Sequence, residues 1–407
     1  MLIGIDDTDS PHGMCTTFLG AVLVHRLNHE QMEVREARLI RLNPNVTWKT
    51  RGNAAIMLDV KGDPDRAFGI ACSLVEEMAD LSCGNTNPGL VVAEDTLDPS
   101  FYHKAVTDFC TIDEAVCILD AAGTRYRGWK NRRGLIGATA AVASVLPDQT
   151  SEILVYRLPE NFGTLRTVDR QSLFSSEAAT FPHTWDTVDR TNNVVVCVPH
   201  TPDPVLFGIR GESPQWVMAA RRMIKSERPG IEQIWVTNQG TDAHLIPGKI
   251  GELREGLSYF VRGRVADAPT TGVGGHVSFP VENDGSTVRC MAYEPTKNFR
   301  HVIRDLHPGD GVIVVGSFKK GSINLEKVKV DSVTRAEIIR PPSCIPCNKR
   351  MTSDGKEKGY KCKKCGARAE RPEIQELPRK MIPGWFEVPP TARRHLAKPL
   401  CRGAPEL

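Results

Sequence analysis

The chain has 407 residues, 40% hydrophobic and 25% charged, a make-up ordinary for a soluble globular protein and too long for one hydrophobic core, so about two to four domains are expected. No apolar run reaches the ~20 residues of a spanning helix and the chain starts directly on a strand-like segment, so neither a membrane protein nor a signal peptide is expected. The net charge of +3 conceals an asymmetry: from Ser343 onward there are 15 Lys/Arg against 7 Asp/Glu, a basic C-terminal end on a mildly acidic body, which suits either a polyanion partner or a solvated tail.

In chain order, residues 1–125 read as alternating strands and helices. Leu2–Ile5 is a strand, Met14–Leu27 a helix, Ala54–Val60 a strand, Pro64–Leu81 a helix and Leu90–Ala93 a strand. Thr111 followed by Glu114 has capping-box spacing and opens a helix toward Ala122. A second unit, 126–248, offers helices after Gly134 and over Val217–Ser226. Its strands are Ile153–Leu158, Val194–Val198 and Ile231–Val236, a small α+β sandwich of ferredoxin-like composition. A third unit, 249–338, has five strands with one helix, Lys297–Leu306, before the fourth. That pattern predicts an OB-fold barrel, with an SH3-like barrel as the alternative. Pro341-Pro342 marks a boundary, leaving 339–372 and a basic tail, 373–407.

Two CxxC pairs, Cys344/Cys347 and Cys362/Cys365, are separated by 14 residues. Four thiolates at this spacing surround one tetrahedral Zn²⁺ and leave no open coordination position, so a structural zinc ribbon is expected. With no export signal the compartment is expected to be the reducing cytoplasm, which argues against disulfides.

The most chemically suggestive segment is Gly4-Ile-Asp6-Asp7-Thr8-Asp9. Three carboxylates directly after a buried strand repel one another unless a cation sits between them, and Mg²⁺ with substrate phosphates is the usual occupant. A polar helix-capping loop is the alternative. Thr16 and Thr17 fall where the next helix begins; a hydroxyl there either caps the helix or meets a phosphate drawn to its N-terminus. Three further segments could touch phosphate or nucleotide or be ordinary turns: Lys49 with Arg51, the Gly84–Gly89 loop with Asn85 and Asn87, and Lys130-x-x-Arg133-Gly134-x-x-Gly137. None is a Walker A motif.

These motifs, with Arg41–Pro44, Asn238–Asp242 and the four cysteines, resemble the archaeal isoleucine-tRNA 2-agmatinylcytidine synthetases over essentially the whole chain. The resemblance implies an ATP-dependent, tRNA-modifying carbon–nitrogen ligase. Its substrates would be agmatine and the wobble cytidine of the CAU-anticodon isoleucine tRNA. The C2 oxygen would be phosphorylated and then displaced by agmatine, with ATP ending as AMP and the tRNA decoding AUA. It also implies a kinase-like N-terminal domain followed by ferredoxin-like, OB-fold and zinc-ribbon domains. Asp6, Asp7 and Asp9 would then handle Mg²⁺ and phosphate, with Thr16 as an autophosphorylated residue. Lys49, Arg51, Asn85, Asn87, Lys130, Arg133, Gly134 and Gly137 would contact ATP. Asp242 is one candidate partner for agmatine, and Arg393, Arg394 and Lys398 are candidate tRNA contacts. No obligate protein partner is evident. Two rivals stand beside this reading: a non-catalytic tRNA-binding protein, and a metal-dependent nuclease or phosphatase with His12 as its nearby base.

Overall fold

The computed structural model describes residues 1–50, 52–355 and 358–405. Its first strand, β1 (Leu2–Asp6), lies inside a sheet, antiparallel to both β3 (Ala54–Lys61) and β4 (Gly89–Ala93), with Ile3 and Ile5 fully buried. Helix α1 is Thr16–His29 and β2 is Glu33–Arg41. Helix α2 (Pro64–Met78) starts at Asp63, whose carboxylate accepts from the Asp65 and Arg66 N–H groups, with Pro64 in the first turn. Such a cap contributes about 1 kcal/mol. Helix α3 spans Pro99–Thr107. Helix α4 (Ile112–Ala121) carries the expected capping box, in which the Thr111 hydroxyl accepts from Glu114 N and Glu114 accepts from Thr111 N.

Two elements of this unit escape the hydrophobic pattern. In β2, Glu33, Arg35, Glu36, Arg38 and Arg41 interrupt the apolar run, while Leu39 and Ile40 are buried. Helix α3 is too short for its period to stand out from the flanking turns.

The expected boundary at 125/126 cuts across packing. Strand β5 (Arg125–Gly128) pairs with β4, and helix α5 (Gly134–Val142) packs on β1 and β4. The approach is close enough that a Cβ on Gly4, Gly89 or Gly134 would overlap backbone atoms across the contact. Residues 126–142 therefore pack on the sheet of the first unit.

The next unit extends the same sheet. Pro229–Thr237 pairs in parallel with β2 through Val236↔Arg38 and Thr237↔Leu39. Beyond it lie β6 (Thr150–Arg157), Val205–Gly211 and Thr184–Trp185, giving one nine-stranded sheet. The strand expected at Val194–Val198 shrinks to Val194–Val195 in a small side hairpin, and Val205–Gly211 takes the place in the sheet. Helix Arg170–Thr180 has no apolar stripe to announce it, because its buried face is hydroxylic: Ser176 Oγ donates to the Ala220 carbonyl and Thr180 Oγ1 to the Ser176 carbonyl.

The third unit is a closed five-stranded barrel. Ser258–Val265 pairs with both Gly311–Lys319 and Val277–Asn283; Ser286–Ala292 joins Val277–Asn283 to Ser322–Ser332. Helix Phe299–Arg304 precedes the fourth strand, as expected, and buries Phe299 and Ile303.

The ribbon is an insertion rather than an ending. Ala336–Arg340 and Glu373–Leu377 pair antiparallel as a stalk, and Gly384–Glu387 returns to the barrel strand Ser322–Ser332. The free basic tail expected for 373–407 is thereby corrected. Arg393 ion-pairs with Asp186 and, at 2.8 Å, with Glu387. Arg402 reaches Asp148 at 2.9 Å and Glu212 at 2.7 Å and lies over the Trp185 ring. These cations neutralise carboxylates of the body, which is why they are not available to a polyanion. Arg393→Ala would leave Asp186, only 3% exposed at its side chain, without its main counter-charge. A loss of about 3–5 kcal/mol is expected, measured by urea unfolding.

Candidate active site

The acidic turn after β1 carries two of its three carboxylates on strained or buried backbone. Asp7 sits at φ +57, in the left-handed region. Asp6 Oδ1 accepts from the Asp7 N–H at 2.6 Å. Burial, reinforced by Asp7, holds the Asp6 carboxyl well above its ordinary value. Burial likewise pushes Asp7 up to about 7, against the opposing pull of the Arg133 guanidinium, whose Nε and Nη2 lie 2.9 and 2.7 Å from Asp7 Oδ2. Asp9 faces the other way. Its Oδ1 accepts from Thr16 N at 2.6 Å and from Thr16 Oγ1 at 3.0 Å, so it caps α1 in place of Cys15, whose side chain makes no cap bond.

The three carboxylates line one cavity of about 540 Å³ together with Arg133, Gly137 and Trp48. Among the described residues their oxygens do not form a ready-made cage within 4.8 Å. A cation such as Mg²⁺ would not need one, since it takes one or two carboxylates and completes its shell with water and substrate phosphates. Two adjacent buried carboxyls that resist ionisation are what a divalent cation would relieve.

Gly137 has a packing role here. A Cβ at this position would overlap Oδ2 of Asp6, so the glycine lets helix α5 pass directly over the carboxylate. Gly137→Ala is expected to displace Asp6 and lower turnover at least ~10-fold while the protein still folds, roughly 1.4 kcal/mol of barrier, checked by single-turnover rates beside a thermal melt. Gly134 is required by contact with Gly89 and the Asp6 carbonyl.

A second pocket, about 290 Å³, opens on the far side of Asp9 and is lined by Thr16, Thr17, Glu152, Asp186, Asp203 and Arg210. Both threonines reach it. Thr16 is 3% exposed, its hydroxyl accepting from Thr8 Oγ1 and donating to Asp9. Glu152, Asp186 and Asp203 belong to no motif in the sequence. Glu152 alone has a signal: it is a charged residue in β6, every position of which is buried.

The remaining expected residues scatter. Asn85 contributes its carbonyl to Arg133, and Asn87 joins the acidic turn to α5, its carbonyl accepting from Gly134 N and its N–H donating to the Asp7 carbonyl. Lys130 is tied to the Cys83 carbonyl and lies outside the cavity wall. Arg51 lies outside the described residues. Asp242 is corrected: both its oxygens accept from Lys327 Nζ, at 2.6 and 2.7 Å, and Oδ1 also from Lys398 N. Asp242 lines neither the acidic cavity nor the second pocket described above, and Lys398 is held to the body. His12 turns to Asp80 at 3.2 Å and does not line the cavity, which removes the base the nuclease reading needs.

In the ribbon, the sulfurs of Cys344, Cys347, Cys362 and Cys365 all lie within 4.8 Å of one another. The backbone N–H groups of Cys365 and Lys364 pull the Cys362 thiol down to about 6. Four converging thiols, one already inclined to ionise, fit a structural zinc ion.

An acidic cavity on a mixed sheet, a five-stranded barrel and an inserted four-cysteine ribbon together suit a multidomain enzyme that handles phosphates. Three family profiles match: the TiaS TCKD domain over residues 2–65, the TiaS FLD domain over 132–244 and the TiaS C-terminal zinc ribbon domain over 341–381. The isoleucine-tRNA 2-agmatinylcytidine synthetase TiaS of Methanocorpusculum labreanum is 49% identical, covering 99% of this chain and 97% of its own. That of Archaeoglobus fulgidus is 43% identical, over 98% and 97%. A crystal structure of TiaS in complex with its isoleucine tRNA and ATP superposes with a TM-score of 0.94 at 42% identity, and one of TiaS with that tRNA, AMPCPP and agmatine with 0.91 at 41%. Each covers 100% of this chain and 98% of the other. The chain belongs to the isoleucine-tRNA 2-agmatinylcytidine synthetase (TiaS) family.

Proposed function

We infer that this chain is an ATP-dependent ligase that joins agmatine to the wobble cytidine of the CAU-anticodon isoleucine tRNA, forming 2-agmatinylcytidine. The observation that carries the reading is Asp9, which lines both the phosphate-suited cavity and the acid-lined pocket beside it. Two substrates of opposite charge can therefore meet at one carboxylate.

A cytosine C2 oxygen is a poor leaving group. Transfer of the γ-phosphoryl group from ATP to that oxygen makes it a good one and leaves ADP, whose remaining anhydride must be cleaved by water to give AMP and a second phosphate. The agmatine amine then attacks C2, loses a proton, and the phosphate carried by the former C2 oxygen departs. Phosphoryl transfer depends mainly on positioning and charge stabilisation. Mg²⁺ supplies neutralisation of the phosphates when bound, and Asp6 and Asp7 are the residues to hold it. Arg133 orients Asp7 through its two contacts. The guanidinium end of agmatine belongs in the pocket of Glu152, Asp186 and Asp203, a wall richer in carboxylates than in cations. Thr16 is the acceptor for autophosphorylation, and Asp9 Oδ1, 3.0 Å from its hydroxyl, is placed to take that proton. The kinase-like reading of the N-terminal unit and the ferredoxin-like reading of the second rest on this chemistry and on the element pattern.

The test is the mass of the anticodon loop after incubation of full-length enzyme with tRNA transcript, ATP, Mg²⁺ and agmatine. A gain at the wobble cytidine matching agmatine minus water, with AMP released, is expected; unmodified cytidine would sink the reading. In the same reaction, peptide mapping is expected to find phosphate on Thr16 and not on Thr17.

A further inference from the structure

Next to the acidic cavity lies a hollow of about 610 Å³ whose wall contains Arg41, Lys49, Lys319 and Arg394 and, among the described residues, no carboxylate. The cations come from four parts of the chain: β2, the loop after it, the last position of the barrel strand Gly311–Lys319, and the returning C-terminal segment. Two of them are ion-paired behind the wall, Arg41 with Glu152 at 3.8 Å and Arg394 with Glu326 at 3.4 Å, while Lys49 and Lys319 have no carboxylate partner among the described residues. Their like charges are crowded all the same. Burial, then Arg394 and Lys319, brings the Lys49 ammonium down to about 8. Lys49 donates to the Pro44 carbonyl, and Arg394 Nη1 donates to Asn45 Oδ1 at 2.8 Å.

The loop between cavity and hollow is pinned at both ends. Asn45 Nδ2 donates to Ser258 Oγ of the barrel at 3.0 Å, and Asn53 Nδ2 to the Asn43 carbonyl at 3.0 Å. Between these anchors Trp48 stands 65% exposed while lining the cavity that holds Asp6, Asp7 and Asp9. Trp48 itself does not line the hollow, but Lys49 and Lys319 line both it and the cavity that Trp48 enters, so an exposed indole adjoins a cationic wall: the stacking face and the phosphate groove of a single-strand site.

We propose that the Arg41–Lys49–Lys319–Arg394 hollow takes the phosphodiester backbone of the unpaired anticodon strand and that Trp48 stacks on the reacting cytosine, turning its C2 oxygen toward the acidic turn. The proposal rests on the activity inferred above. ATP is the rival occupant, since Lys49 and Lys319 also line the acidic cavity; it is the weaker fit for Trp48, which is open to solvent, because small nucleotides are held by enclosure. An unpaired base can be splayed out of an anticodon loop and stacked on an aromatic ring without disrupting a helix.

The test uses full-length enzyme and full-length tRNA carrying a fluorescent cytidine analogue, pyrrolocytidine, at the wobble position. Wild type is expected to change the probe's fluorescence on binding. Trp48→Ala should lose that change and form agmatinylated cytidine about 10-fold more slowly on unlabelled tRNA, with ATP affinity unaltered, as loss of one stacked base implies; Trp48→Phe should restore most of both. Lys319→Ala should weaken tRNA binding and reduce the salt slope by about one. An unchanged probe response in Trp48→Ala overturns the proposal. So does a fall in ATP affinity, which would make Trp48 an adenine platform. Failure of the functional reading would look different: wild type would make no agmatinylated cytidine, whatever the probe reports.

Discussion

Asp7→Asn enzyme is expected to fold, bind tRNA as tightly as wild type, and form 2-agmatinylcytidine about 10³-fold more slowly, a loss of roughly 4 kcal/mol of transition-state stabilisation. The substitution keeps size and removes one charge from the place where ATP brings about four. Asp7 lines the acidic cavity but not the hollow proposed to hold the tRNA backbone, so affinity for tRNA separates a damaged site from a damaged fold. Stability gives a second readout. Without a cation, Asp7 titrates at about 7 in the folded chain against an ordinary 3.8. Between those values the folded state holds a proton that the unfolded state has released, so stability falls as pH rises through that window. The Asn variant should lack this contribution and, in EDTA at neutral pH, melt no lower than wild type. Near wild-type turnover would leave the acidic turn as a helix-capping loop.

Loss of zinc is expected to be as drastic, but local. Structural zinc sites bind with about 10–16 kcal/mol near neutral pH, far more than so small a module obtains from its few buried side chains, Cys344, Met351 and Cys362. Cys362→Ser should therefore reduce bound zinc from one per chain to none and unfold the ribbon, residues 341–381. The barrel and the returning strand Gly384–Glu387 should remain, because that strand pairs with Ser322–Ser332 independently of the metal. Limited proteolysis would show cleavage confined to the ribbon and its stalk. Protein purified without chelator and found to contain no zinc would refute the assignment. Unfolding of the whole chain in Cys362→Ser would show that the ribbon is not the separate insertion its stalk suggests.

Much of this protein is written locally. The four cysteines declare their site by spacing alone, because two CxxC turns can close on one ion whatever surrounds them. Among the barrel strands Val277–Asn283 and Ser286–Ala292 alternate core and solvent positions, whereas Gly311–Lys319 and Ser322–Ser332 are buried along most of their length, the first legible as a β-branched apolar run. The Asp6-Asp7-Thr8-Asp9 turn stands out for the same reason: adjacent carboxylates after a buried strand need a purpose. The capping box at Thr111 and Glu114 is a four-residue matter and forms as read.

What is not legible locally depends on distant partners. Strand β2 is masked by charges that find counter-ions only in the fold, such as Arg35 with Asp59 at 2.5 Å. Helix Arg170–Thr180 buries hydroxyls that need acceptors elsewhere in the chain. Arg393 and Arg402 read as free cations because the carboxylates that neutralise them are remote: Asp186 is 207 positions from Arg393, and Glu212 and Asp148 are 190 and 254 from Arg402. Asp242 reads as a free anion for the same reason, since Lys327 is 85 residues distant. Sequence by itself determined the zinc site, the barrel and the acidic turn, where a few consecutive residues carry the whole physical cause. Tertiary structure alone decided which charges are matched to one another and which are left facing a cavity, because a charge is neutralised by proximity in space and not in sequence.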